Sequence, residues 1–333
     1  MSDFVAIGDI VTDAFIKLKD ASINCDVNHE RCTITMAFGD KIPYESVEVI
    51  RAVGNCSNAA VSAARLGLKS SLVTNIGDDQ NGRECLESLE KDNVSRDFIS
   101  IHKGKETNYH YVLWYEDDRT ILVKHQEYKR DFPDIGEPGW IYLSSLGEDT
   151  LEYQREIMKY LKERPSISLA FQPGTFQIKL GHKTLKEIYD STEIFFCNVE
   201  EAGKILGINT LGINELLKRI HSLGPKTVVV TDGPKGAHAY DSQNFWFQSP
   251  YPDPKPPFER TGAGDAFAST TVAALALGKD LPTALSWGAV NSMSVVQQVG
   301  AQKGLLTRPE IEKYIKDAPK DFQAKKLSYA KAS

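Results

Sequence analysis

No apolar run in the 333 residues reaches the about 20 residues that a membrane-spanning helix needs, which excludes a helical span. Long basic runs are absent too. With 39 Lys and Arg against 45 Asp and Glu, the formal net charge is −6, the wrong sign for a dedicated nucleic-acid surface. Cysteine is scarce and odd in number. Five residues spread over a long chain point to reduced thiols in a cytoplasm, not to a disulfide framework. One local spacing, Cys25, His29 and Cys32, shows only three metal ligands in a segment that reads as an exposed β insertion, too few for a closed structural site. The start, MSDFVAIGDIVTD, has an acid at position 3 and only a short apolar strand, so it does not read as a secretory signal. No G-x-x-x-x-G-K-[ST] occurs, which removes a Walker-type phosphate loop, and no internal repeat is visible.

What is present is the periodicity of an α/β protein, either two domains or one large domain with an inserted part. Phe4 to Ile7 is a short apolar run ending at Gly8-Asp9, as a buried parallel strand would. Asp13 follows, where a carboxylate past a strand end can grip hydroxyls of a small molecule or serve equally as a cap or turn residue. Residues 14–50 and 107–127 show short β-like alternation, the second piece turning at Glu116-Asp117-Asp118. Two β islands in an α/β chain imply one small sheet over the ligand end of the main sheet, a lid that excludes water or a dimer interface, or both. Ala52 to Asn58 leads into a small-residue helix from near Gly54, on whose first turns Asn58 can face a polyol or lie in the core.

From Gly139 onward strands and helices alternate regularly, which requires right-handed crossovers. Ser144-Ser145, Gln172-Pro173-Gly174, Asn198 and Thr231-Asp232-Gly233 all fall at the same end of successive strands and line one crevice. The expected fold is a three-layer, doubly wound, mostly parallel α/β sheet with a small β-sheet lid. Its core would comprise residues 1–13, 51–106 and 128–318, and the apolar-poor residues 319–333 would form a flexible tail.

Thr261-Gly262-Ala263-Gly264-Asp265 precedes a run of small, helix-compatible residues. A helix starting there turns free N–H groups toward a phosphate, and Asp265 in its first turn can take a proton from a nucleophile facing that phosphate. The same residues also describe a loop before a core helix, with Asp265 complementing the dipole. A dinucleotide fingerprint is excluded by context, since PYPDPKPPFER before the motif is no buried strand.

Taken together, these pieces resemble the ribokinase-like carbohydrate kinases, the phosphofructokinase B family, across essentially the whole chain. Gly8 and Asp13 match its sugar-contacting start. Ala52 to Gly67 resembles its first signature, with Val53 in place of the usual first glycine. Asn198 to Glu201 is similar to its Asn-x-x-Glu motif, and Thr231 to Gly236 to its Thr-x-Gly-x-x-Gly nucleotide loop. Thr261 to Asp265 resembles the second signature, preceded here by Glu259-Arg260 where Asp-Thr is usual.

The resemblance implies an ATP-dependent kinase acting on a hydroxymethyl group of a small sugar, with Asp265 as base and Gly262, Ala263 and Gly264 as anion hole. It further implies Asp13, Gly54 and Asn58 at the acceptor, and Asn198, Glu201, Thr231, Gly233, Gly236 and Asn291 at the nucleotide. Mg²⁺ would be held through water by Glu201, and a monovalent cation such as K⁺ by Glu259 and Thr261. A nucleoside kinase of the same family is the nearest alternative, with Phe38, Tyr109, Tyr111 and Trp114 stacking on a base or simply packing the lid; a non-catalytic sugar or nucleotide sensor is the alternative of another class. A cytoplasmic enzyme with no nucleic-acid or membrane partner, pairing with a second copy through the lid, completes the expectation.

Overall fold

Alternate side chains along each strand of the central sheet enter two different cores, which is why these strands read as unbroken apolar runs. The computed structural model describes residues 2–25, 32–116, 118–208 and 211–327. The strands of the first half are β1 (Phe4–Ile7), β2 (Val11–Leu18), β3 (Ser22–Cys25), β4 (Cys32–Thr35), β5 (Tyr44–Val53), β6 (Ser70–Gly77), β7 (Ile99–His102), β8 (Tyr109–Tyr115) and β9 (Asp118–Leu122). Those of the second half are β10 (Trp140–Leu143), β11 (Ser168–Phe171), β12 (Thr192–Asn198), β13 (Thr227–Thr231), β14 (Ala237–Tyr240), β15 (Phe245–Gln248) and β16 (Lys325–Leu327). The helices are α1 (Asn55–Arg65), α2 (Gln80–Lys91), α3 (Leu151–Lys162), α4 (Thr175–Leu180), α5 (Lys186–Ser191), α6 (Val199–Leu206), α7 (Ile213–His221), α8 (Ala263–Ala276), α9 (Leu281–Val295) and α10 (Arg308–Asp317).

Among these residues ten strands form one sheet in the order β16-β15-β14-β13-β12-β11-β10-β1-β6-β7, parallel from β13 to β7. Phe4, Ala6, Tyr142, Ala170, Phe196 and Val229 point into the core shared with α1, α8 and α9. Val5, Ile7, Ile141, Phe171, Phe195 and Val230 point into the opposite core, under α3, α6 and α7. Helices on both faces of a mostly parallel sheet give the three layers expected. Strand order reverses at β1, whose neighbours are β10 and β6, so a crevice opens there at the carboxyl ends of the strands.

The second sheet, β5-β2-β8-β9, is the lid. Its strands pair in mixed directions, β2 with β5 and β8 with β9 antiparallel, β2 with β8 parallel. Phe15, Val112 and Trp114 lie buried on the inner face, whereas Val47, Val49, Tyr111 and Leu122 are exposed on the outer one.

Two expectations are corrected here. Cys25 and Cys32 are direct cross-strand partners in the β3–β4 hairpin and are joined as a disulfide; Cys56, Cys85 and Cys197 are free and buried. That pair therefore has no thiolates to offer a metal, and His29 lies outside the described residues. The tail expected from residue 319 is docked as far as 327: Phe322 is buried against Tyr251, its carbonyl accepts from Gln248, and β16 pairs with β15. Too little apolar sequence marked this segment, because one buried ring and a three-residue strand hold it. Residues 328–333 lie outside the described residues.

Candidate active site

Gly262 caps α8 in the left-handed region (φ 80°) and approaches Ala301 so closely that a Cβ would sit 2.3 Å from that alanine's own. Only glycine fits both demands. Gly264 has nothing within 4 Å of the Cβ it lacks, so its backbone faces open space. The first full helical bond runs from Ala266 N–H to Gly262 O at 2.8 Å, which leaves the amides of Gly264 and Asp265 ahead of the ladder. Both the orphan donors and the helix dipole favour an anion at that end.

Asp265 is anchored on both carboxylate oxygens. Asn58 Nδ2 donates to Oδ2 at 2.9 Å and Gln172 Nε2 to Oδ1 at 3.1 Å. Each anchor is itself held: Gln172 Oε1 accepts from the buried Tyr142 hydroxyl, and Asn58 Oδ1 accepts from Gln302 Nε2 at 3.0 Å. Burial pushes the Asp265 pKa above the usual carboxylate range, and the two donors and the Arg119 charge pull part of the way back. A raised pKa on a fixed carboxylate beside free amides at a helix start is an arrangement that can take up a proton.

A cavity of about 410 Å³ opens in front of α8. Thr231, Gly233 and Gly236 line it together with Ala263, Gly264 and the apolar Phe267 and Met293. The Thr231–Gly236 loop and the turn that opens α8 thus share one cavity, although they are far apart in sequence. Gly236 is needed where it stands: φ is 98° and a Cβ would meet Gln248 O at 2.4 Å.

Asn291 does not join them. It is fully buried, its Nδ2 donates to Thr270 Oγ1 at 2.7 Å, and its Oδ1 accepts from Leu306 N–H at 2.9 Å. Both functions of the amide are satisfied inside the core between α8 and α9, while the next residues, Ser292 and Met293, line the cavity. Asn198 and Glu201 form a capping box at the start of α6, with 2.8 Å bonds in both directions. Burial, aided by the like charge of Asp265, raises the Glu201 pKa.

Asp13 lies on the lid's inner face with His110 Nδ1 3.4 Å from Oδ1. Gly54 (φ 107°) brings the entry to α1 within 2.6 Å, at Cβ distance, of Asp9 O. Asp9 occupies the crevice beside β1: it accepts from Gly147 N–H at 2.7 Å, pairs with Arg130 Nη1 at 2.7 Å, and has His125 Nδ1 at 3.7 Å. Burial lowers the His125 pKa against the opposing pull of the Asp9 carboxylate.

Before α8, Glu259 Oε1 accepts from Thr261 N–H at 2.6 Å and Oε2 from Gly300 N–H at 3.3 Å. Arg119 Nε of the lid lies 3.7 Å from Oε1.

Sequence reading singled out Asp265 and the two glycine turns but not Gln302, Arg119 or the Asp9–Arg130–His125 group, nor what Gln172 bonds to. Gln172 alone carried a signal, its place at a strand end. The others reach the site from loops or from the lid, where pairing register decides which face a residue takes.

The chain is similar to known proteins over most of its length. The family model for pfkB family carbohydrate kinases matches residues 17–308. The ribokinase of Bacillus subtilis (strain 168) is 27% identical over 272 residues, covering 79% of this chain and 87% of that protein. A nucleoside kinase of Methanothermobacter thermautotrophicus is 24% identical over 256 residues, covering 76% of this chain and 80% of its own. Among solved structures, Arabidopsis thaliana ribokinase complexed with ribose and ATP superposes with a TM-score of 0.79 at 20% identity, covering 95% of this chain and 99% of that one.

Proposed function

We propose that this chain, which belongs to the pfkB family of carbohydrate kinases and so transfers a phosphoryl group from ATP, delivers it to a hydroxymethyl group of a small sugar. The observation that carries the reading is the Asp265 carboxylate. It is fixed by Asn58 and Gln172 in the same helical turn whose Gly264 backbone opens into the Thr231–Gly236 cavity.

In this reading Asp265 takes the acceptor's hydroxyl proton as that oxygen attacks the γ-phosphorus of ATP lying along the cavity. The free amides of the turn, Gly262 and Gly264, hold the developing negative charge, a contribution on the order of 3 kcal/mol per donor, whereas the Ala263 amide donates to Arg260 O at 3.4 Å and is not free for the phosphate. Asp13 and the Gly54 turn hold the acceptor's other hydroxyls. Asn58 acts chiefly by orienting the base, since its amide is committed to Asp265 and Gln302. The lid's inner face closes the acceptor side against water.

Mg²⁺ accompanying ATP would meet Glu201 through water, because the capping box uses Oε2 and leaves the second oxygen; when bound, the ion neutralises phosphate charge. A potassium ion at Glu259 and Thr261 fits poorly. Thr261 Oγ1 is buried without a hydrogen-bond partner among the described residues, but the carboxylate already holds two amides and faces the Arg119 guanidinium. No step is assigned to such an ion.

A sugar is favoured over a nucleoside by the lid aromatics. Trp114 packs edge-on against Phe258, Tyr109 and Tyr111 share the outer face, and Phe38 is exposed to solvent, so none of the four presents a stacking surface to the crevice. The outer face, with Val47, Val49, Tyr111 and Leu122 exposed, is the surface on which a second copy would pack. The reaction requires a compartment that supplies ATP, and the cytoplasm is the reading this requirement supports.

Asp265→Asn tests the assignment: kcat is expected to fall at least ~100-fold while ATP binding is retained. Undiminished turnover would remove the base assignment, whereas a parent protein that binds ATP and sugar without any turnover would favour the sensor reading.

A further inference from the structure

Glu259 is a carboxylate whose side chain is only 2% exposed, between the exposed residues Phe258 and Arg260. An ionised group so buried is tolerated only when paired and hydrogen-bonded. Its two oxygens accept from Thr261 and Gly300, the segments on either side of the Gly262–Ala301 contact. The carboxylate therefore staples two loops together at the point that sets where α8 begins. The cation beside it, Arg119, belongs to lid strand β9 and not to the core.

Two further lid residues land on the same staple. Trp114, the cross-strand partner of Arg119, packs edge-on against Phe258 at 5.4 Å between ring centres. Ile50 of β5 lies so close to Gly300 that a Cβ there would come within 2.1 Å of Ile50 Cδ1. Three lid strands' worth of contact thus converge on residues 258, 259 and 300.

We propose that Arg119 is a positioning residue for phosphoryl transfer: carried by the lid, it completes the Glu259 staple and thereby sets the anion-hole turn when the lid is seated. Its mechanistic meaning rests on the reading of residues 262–265 given above. Arg119 acts through Glu259. Its charge is also felt at Asp265, which is faced by Asn58 from α1, by Gln172 and Tyr142 from the ends of β11 and β10, and by Glu201 from α6.

The test uses the full chain and two independent readouts. In hydrogen exchange without any acceptor, Arg119→Met is expected to speed exchange of the amides of residues 260–266 by at least ~10-fold while the strands of the main sheet stay protected. In ADP release with D-ribose as acceptor, kcat is expected to fall at least ~10-fold with KM for ATP changed less than ~3-fold, and the acid limb of the pH profile to move to higher pH. Arg119→Lys should restore most of kcat. In a Glu259→Gln background, Arg119→Met should cost less than ~3-fold more, because the Glu259 charge through which it acts is already gone. Unchanged exchange at 260–266 would overturn the proposal, as would full additivity with Glu259→Gln or a rise in acceptor KM alone, which would make Arg119 an acceptor contact. Normal turnover by Asp265→Asn would instead overturn the base assignment and leave the exchange result untouched.

Discussion

Replacing Gln172 with methionine removes one of the two donors on Asp265 while keeping the length of the side chain. The bond lost is Nε2 to Oδ1 at 3.1 Å, a hydrogen bond to a charged acceptor, a class worth about 1.5–3 kcal/mol. That stabilisation favours the ionised form, so its loss raises a pKa that burial already holds above the ordinary carboxylate range. The base must be ionised to work. Activity is therefore lost as pH falls through the raised pKa, and the acid limb of log kcat should move upward by roughly one pH unit, while the rate on the alkaline plateau falls less. A second effect comes from the far side of the residue, where Oε1 accepts from the fully buried Tyr142 hydroxyl. Left unpaired, that hydroxyl should lower stability by about 1–3 kcal/mol, read as a shift in the denaturant midpoint at unchanged slope. The assay is a pH series of steady-state rates beside an unfolding curve. An acid limb that stays in place in a stably folded Gln172→Met protein would refute the role given to this residue, and with it the account of how Asp265 is tuned.

Asn291→Ala separates a core residue from a nucleotide contact: stability should drop by about 1–3 kcal/mol, because Thr270 and the Leu306 amide lose their buried partner, while KM for ATP stays within about twofold. A large rise in KM without loss of stability would return Asn291 to the nucleotide. Val49→Glu combined with Tyr111→Glu puts like charge on the exposed outer face of the lid. The mass by light scattering should change from dimer to monomer with the far-UV spectrum intact, and a monomeric parent protein would show that no second copy packs there.

The chain's repeating strand–helix order, its apolar strand runs and its glycine turns are local properties, and local chemistry is enough to read them. Two buried faces demand unbroken apolar strands, and left-handed turns and close backbone approaches demand glycine at Gly236 and Gly262. The α/β fold, the lid and the Thr231–Gly236 and Ala263–Gly264 edges that meet at one cavity were accordingly legible before any coordinates. What the sequence could not decide is how each polar residue spends its hydrogen bonds. Asn58 and Asn291 look alike in a helix, yet one orients Asp265 and the other lies sealed between α8 and α9. The Asn198–Glu201 spacing serves a capping box whatever else it does. Cys25 and Cys32 become a pair only because a hairpin register sets them opposite each other, and Phe322 anchors the chain's end only because a site awaits it 71 residues from Tyr251. Arg119 is the extreme case: nothing near it in sequence hints at Glu259, and only the mixed pairing of the lid strands brings its charge to the turn where α8 begins.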